Sequence, residues 1–215
     1  MLMLFNNCLV VLLIMFLTAC AVQQAPSVTS ERNDVLVEPV ADYSEYAGLG
    51  LLTIDASYRD IFSKAMTALK KKRTKDAEKL LDQLIQQRPD LVSAIYNKAL
   101  LLEGHSKLEA SISLLQMAHA IDPSNPRVCN SLGRALRSQG KFQEAEGVYK
   151  NCLSFEDQSP IVHKNYGILL DLYLHQSELA LQQYKLYMEK TGNSDKLVKG
   201  WILDLQRRIP AKEEG

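Results

Sequence analysis

The side chains best equipped for chemistry in this chain are three arginines, Arg127, Arg134 and Arg137, separated by seven and three residues. Those steps place them on one face of a helix. Guanidinium groups are planar forks of donors suited to bidentate capture of carboxylates, so the chemistry within reach is anion recognition. His105, His119, His163 and His175 have neither metal-ligand spacing nor a cysteine or serine context for nucleophilic catalysis. The sequence carries no glycine-rich phosphate loop and none of the recognised hydrolase signatures. It reads as a binding protein rather than an enzyme, with no catalytic residue, metal or cofactor expected. Formal charge is zero, from 25 acidic and 25 basic residues, so nothing draws the whole molecule toward nucleic acid.

What must position those arginines is a repeat. Ala65, Ala99, Gly133 and Gly167 recur at a step of 34 residues, and Ala77, Ser111 and Ala145, then Leu81, Leu115 and Tyr149, then Pro89 and Pro123 keep the same step. A period of this length belongs to solenoids of small helical units, which bind other proteins along an extended surface. From about Tyr58 to Lys190 these residues resemble the tetratricopeptide repeat (TPR) family. Leu132-Gly133, Gly140, Phe142, Ala145 and Tyr149 occupy family positions, and Asp122-Pro123 closes its unit in the family's form. The resemblance implies an all-α fold, a right-handed TPR solenoid of about four helix-turn-helix units at 58–91, 92–125, 126–159 and 160–193. Unit four slips: Ala180 and Tyr184 come one residue late, which puts an insertion in the turn near Leu174 to Ser177. After Gly192-Asn193, the stripe Leu197, Val198, Trp201, Ile202 and Leu205 predicts a capping helix over 195–208. The TPR domain is thus expected over 55–209, with a tail at 210–215.

The N-terminus reads as an address. Leu9 to Leu17 is an unbroken apolar run, too short to span a bilayer but right for a signal-peptide core. It ends in Leu17-Thr18-Ala19-Cys20, which resembles the lipobox of bacterial lipoproteins, although no Lys or Arg precedes the apolar core. The resemblance implies a signal peptide at 1–19, lipidation of Cys20, and a mature protein held at the periplasmic face of the outer membrane, since Ala21 follows the cysteine. Gln23, Gln24, Pro26, Ser27, Thr29, Ser30 and Asn33 then read as part of a flexible tether over 20–54. Within it, Tyr43 to Ile54 is too apolar for a plain tether and is left unassigned. Cys129 and Cys152 lie on inward faces of unit three and stay open between a disulfide, which the periplasm permits, and two buried thiols.

In the TPR family, partners lie in a concave groove lined by the first helix of each unit. Carrying the groove positions over gives Arg59, Phe62 and Met66 in unit one, then Tyr96 and Leu100 in unit two. Unit three contributes Arg127, Asn130, Arg134 and Arg137, and unit four Lys164; Leu69, Ser93, Glu103, Ile161, Ile168 and Asp171 complete the face around these ten. The expected groove is apolar and aromatic at its N-terminal end and basic at its centre, fit for a segment bearing apolar and acidic residues. Only Asn97 and Asn165 fall near the Lys and Asn set by which chaperone-binding members grip a terminal carboxylate. The run Lys70, Lys71, Lys72, Arg73 and Lys75 reads as a solvated turn. The expected function is a protein-protein interaction scaffold in assembly of an envelope complex, similar in plan to pilus-assembly TPR lipoproteins. The alternative is an adaptor that recruits or regulates a periplasmic peptidase or peptidoglycan enzyme. Either way the partners are envelope proteins, with the membrane reached through the lipid and no nucleic acid involved.

Overall fold

Nine helices and no strand make up the described residues, 55–155 and 159–209, of the computed structural model. The expected signal peptide, Cys20, the expected tether through residue 54 and the expected tail from 210 lie outside them. In chain order the helices are α1 (Ala56–Lys70), α2 (Thr74–Gln87), α3 (Val92–Gly104), α4 (Leu108–Ile121), α5 (Pro126–Ser138), α6 (Phe142–Cys152), α7 (Pro160–Leu172), α8 (Ser177–Lys190) and α9 (Lys196–Arg208). Each odd-numbered helix up to α7 packs on the one that follows, α9 packs on α8, and each pair also packs on its neighbour.

The start signals are local. Asp55, Asn125 and Asp195 accept hydrogen bonds from the first free backbone N–H groups of α1, α5 and α9. Pro126 and Pro160 open α5 and α7, where a missing N–H costs nothing. The turn inside each unit is equally regular. Lys72, Ser106, Gly140 and His175 all adopt left-handed backbone, at φ of 56°, 59°, 77° and 54°. In the first three units the residue after it returns its N–H to the carbonyl five positions back: Arg73 to Ala68, Lys107 to Leu102, Lys141 to Leu136. In unit four Gln176 reaches six positions back, to Leu170. The extra residue therefore sits in the Tyr173–Gln176 turn, one residue longer than the other three.

Close packing explains the small-residue series. A Cβ on Gly133 would collide with the ring of Tyr149, and one on Gly167 with the ring of Tyr184. Where the facing helix carries Leu81 or Leu115, the equivalent positions are Ala65 and Ala99, and all four are fully buried. Ring size on one helix is matched by the absence of a side chain on the other. The series ends at the cap: the residue 34 beyond Gly167 is Trp201, buried with its ring 5.3 Å from that of Tyr184. Val198 and Leu205 are buried beside it, but Leu197 is 41% exposed and lies off the buried stripe expected for it.

Cys129 and Cys152 form a disulfide across unit three, their Cα atoms 6.1 Å apart. Both are buried, so the bridge is part of the core between α5 and α6. Among the described residues no helix is long and apolar enough to cross a membrane.

A candidate protein-binding groove

Helices α1, α3, α5 and α7 supply the ten groove residues predicted from sequence, and polar contacts tie most of this series to its successor. The Tyr96 hydroxyl stands 3.2 Å from Oγ of Ser131, and Nη2 of Arg134 donates to Oε1 of Glu103 at 2.7 Å. Nδ2 of Asn165 donates to Oδ1 of Asn130 at 2.7 Å, and Nζ of Lys164 to Oδ2 of Asp195 at 2.8 Å. Nη2 of Arg208 closes the run on Oδ1 of Asp171, at 2.8 Å. These partners are 31 to 37 positions apart in the chain. A repeat fixes this: residues one period apart lie on adjacent parallel helices at nearly the same height.

Arg59 is exposed in the first turn of α1, while Phe62 and Met66 are buried at 5% and 6% exposure. Tyr96 is buried and Leu100 half-buried on α3. Arg127 and Arg134 both lie close enough to the Tyr96 phenol to favour its ionised form, though burial outweighs them and holds its pKa above the ordinary value. The structure thus brings Tyr96, Arg127 and Arg134 together, with Asn130 joined to unit four instead. Arg137 stands apart from that cluster. It is buried, with its guanidinium carbon 5.8 Å from the centre of the Tyr173 ring. Lys164 is buried too, its ammonium 5.0 Å from the Tyr187 ring centre and 5.7 Å from that of Trp201.

The Lys164–Asp195 pair is the most enclosed of these polar sites. Burial pushes the Asp195 carboxyl upward, but Lys164, the backbone N–H of Val198 and the Tyr187 hydroxyl together bring it below the usual Asp value. The same contact, with burial foremost, pushes the Tyr187 phenol up to about 12. Removing one member of such a pair leaves an uncompensated charge, which costs about 3–5 kcal/mol when fully buried. Glu103, Asp195 and Arg208 were not recognised from sequence as partners of groove residues. The available signal was opposite charge at about one period's separation.

Asn97 spends its amide on the carbonyl of Ser93, as Asn165 does on Ile161 besides Asn130. A cavity of about 410 Å³ lies between α8 and α9, lined by Met188, Ile202 and Leu203 among others, and none of the ten predicted groove residues lines it.

Residues 128–160 match the family described as tetratricopeptide repeat. Anaphase-promoting complex subunit 7 of Mus musculus is 39% identical over 80 residues, 37% of this chain but 14% of that protein's length. A tetratricopeptide repeat protein from Parabacteroides merdae ATCC 43184 has a similar structure, with a TM-score of 0.62 and 15% identity over 71% of this chain and 60% of that one. A structure from the functional characterization of Pseudomonas aeruginosa PilF gives 0.60 and 19% identity over 70% of this chain and 68% of that one. Identities this low speak for the fold alone, and on that the geometry and the comparisons agree: the described residues fold as a TPR solenoid.

Proposed function

We propose that this chain is a membrane-anchored periplasmic lipoprotein whose TPR array serves as a protein-protein interaction scaffold in assembly of an envelope complex of pilus or secretion type. The observation that carries the binding role is the row of α1, α3, α5 and α7, along which aromatic, apolar and basic side chains recur in successive units, with Arg59, Leu100, Arg127 and Arg134 reaching the surface at least in part. Such arrays engage partners along an extended surface. Leu17-Thr18-Ala19-Cys20 supports the anchor. The Cys129–Cys152 bridge supports an oxidising compartment, because disulfides persist there and are rare in the cytosol.

Two measurements test the reading. Metabolic labelling with an alkyne fatty acid should mark the wild-type chain and not Cys20→Ala, and fractionation should move that variant out of the outer membrane. A photo-crosslinking residue at Ser93, half-buried on α3, should capture an envelope protein in intact cells. Unlabelled wild-type protein would remove the anchor from the reading, and absent capture would remove the groove.

A further inference from the structure

We propose that Arg137 is the carboxylate receptor of this face, taking an Asp or Glu side chain from a partner segment; the inference rests on the groove reading above. Arg137 is 8% exposed, and its Nη1 is buried without a hydrogen-bond partner. Its side chain forms no ion pair among the described residues, and its cationic contact is with the face of the Tyr173 ring. The hydroxyl of Tyr149, also fully buried, has no partner either.

This isolation is particular to Arg137. Arg134 is engaged by Glu103 and Lys164 by Asp195. Arg59 is exposed to water, so its charge needs no protein partner. In repeat register Arg137 stands where unit two has Glu103 and unit four has Asp171. Those two acids are turned to Arg134 and Arg208, and neither pairs with Arg137. Unit three thus reverses the charge at this position, and among the described residues it supplies no acid that pairs with Arg137.

A buried guanidinium has few ways out. It does not lose its proton in proteins, so it cannot answer desolvation by neutralising as a lysine would. An aromatic face offsets part of the cost, and a trapped water could satisfy Nη1 without supplying charge. A carboxylate does both, because its two oxygens match the planar fork. Arg137 lies in the last turn of α5, beside the exposed Ser138 and Gly140, so the site is approached from the edge of the face where the turns run. The matching partner is a segment whose acidic residue reaches that edge while apolar neighbours lie toward Leu100 and Tyr96.

The test uses the full chain in detergent and two short fluorescein-labelled peptides of Leu and Ala that differ in carrying Glu or Gln. Fluorescence anisotropy should show the Glu peptide binding about tenfold tighter or more, about 1.4 kcal/mol. Arg137→Gln and Arg137→Met should abolish that preference, while Arg207→Gln, exposed on α9 and outside the groove, should keep it; thermal melts confirm that each variant is folded. Equal binding of both peptides to the wild type, or a preference that survives in either folded Arg137 variant, overturns the proposal. Capture from Ser93 in cells separates the two readings. Capture that persists unchanged in Arg137→Gln overturns the carboxylate site and leaves the groove standing, whereas no capture by the wild type overturns both.

Discussion

A Cβ added to Gly133 would stand 2.3 Å from Cζ of Tyr149, and one added to Gly167 would stand 2.5 Å from Cε1 of Tyr184. Neither ring has room to retreat, since both tyrosines are fully buried. Gly133→Ala should therefore destabilise the fold by about 1–3 kcal/mol, the usual cost of overpacking. A lower urea midpoint at unchanged slope would show it. Gly147 is the control: it is helical and a Cβ there meets nothing within 4 Å, so Gly147→Ala should stabilise by up to about 1 kcal/mol. Unit two indicates how to repair the first change, since it places Ala99 opposite Leu115. The double variant Gly133→Ala with Tyr149→Leu should recover part of the loss, read as a favourable coupling in a double-mutant cycle. Additive losses would mean that ring size and small residue are not matched.

At the scale of the helix, the four left-handed turn residues make a second prediction. Only unit three uses a glycine, Gly140 at φ 77°, where the others place Lys72, Ser106 and His175. Left-handed backbone costs a residue with a Cβ about 1 kcal/mol, so His175→Gly should raise stability and Gly140→Ala should lower it by about that amount. Chemical denaturation of both variants checks the signs. These turns and helices were legible in the sequence because they depend on neighbours: proline at a helix start, asparagine or aspartate before one, and small residues at a fixed step. What crosses between helices was harder to read. The Cys129–Cys152 pair could have been two thiols, because whether two buried cysteines meet depends on how α5 and α6 cross. Likewise Lys164 could be placed on the first helix of unit four, but its partner Asp195 was not legible, because the offset of 31 rather than 34 reflects side-chain reach between helices.

The same pair sets a pH dependence for the cap. Asp195 titrates below its ordinary value in the folded state, so it contributes stability at pH above the unfolded value of about 3.9. That contribution is lost as pH falls through the lower folded value. Docking of α9 on α7 and α8 should weaken on acidification below about pH 4, and the chain's single tryptophan, Trp201, reports it directly. Its emission should shift to the red over that range in the wild type. Asp195→Asn should remove the acid-dependent part of that shift and loosen the cap at neutral pH, where Lys164 is left without its counter-charge. An unchanged acid profile in the variant would assign the titration elsewhere.

Over the whole molecule, a solenoid has no single core to hold it together; each unit leans on its neighbours, and stability propagates along the array. Unit three stands between the first two units and the α7–α9 end, so a weak link there would separate them. The disulfide joins its two helices across 23 residues of chain, a constraint that typically stabilises a domain by about 2–4 kcal/mol. Reduction should therefore loosen the array from its middle. Hydrogen exchange in dithiothreitol should rise first in α5 and α6, and the denaturation midpoint should fall to that of the Cys129→Ala, Cys152→Ala variant. That variant should itself be insensitive to the reductant. If unit three is what couples the two ends, the reduced protein should also unfold less cooperatively, with a lower denaturant slope than the oxidised form. Equal slopes, with a lower midpoint alone, would mean that the contacts of α5 with α4 and α7 suffice to transmit cooperativity without the bridge.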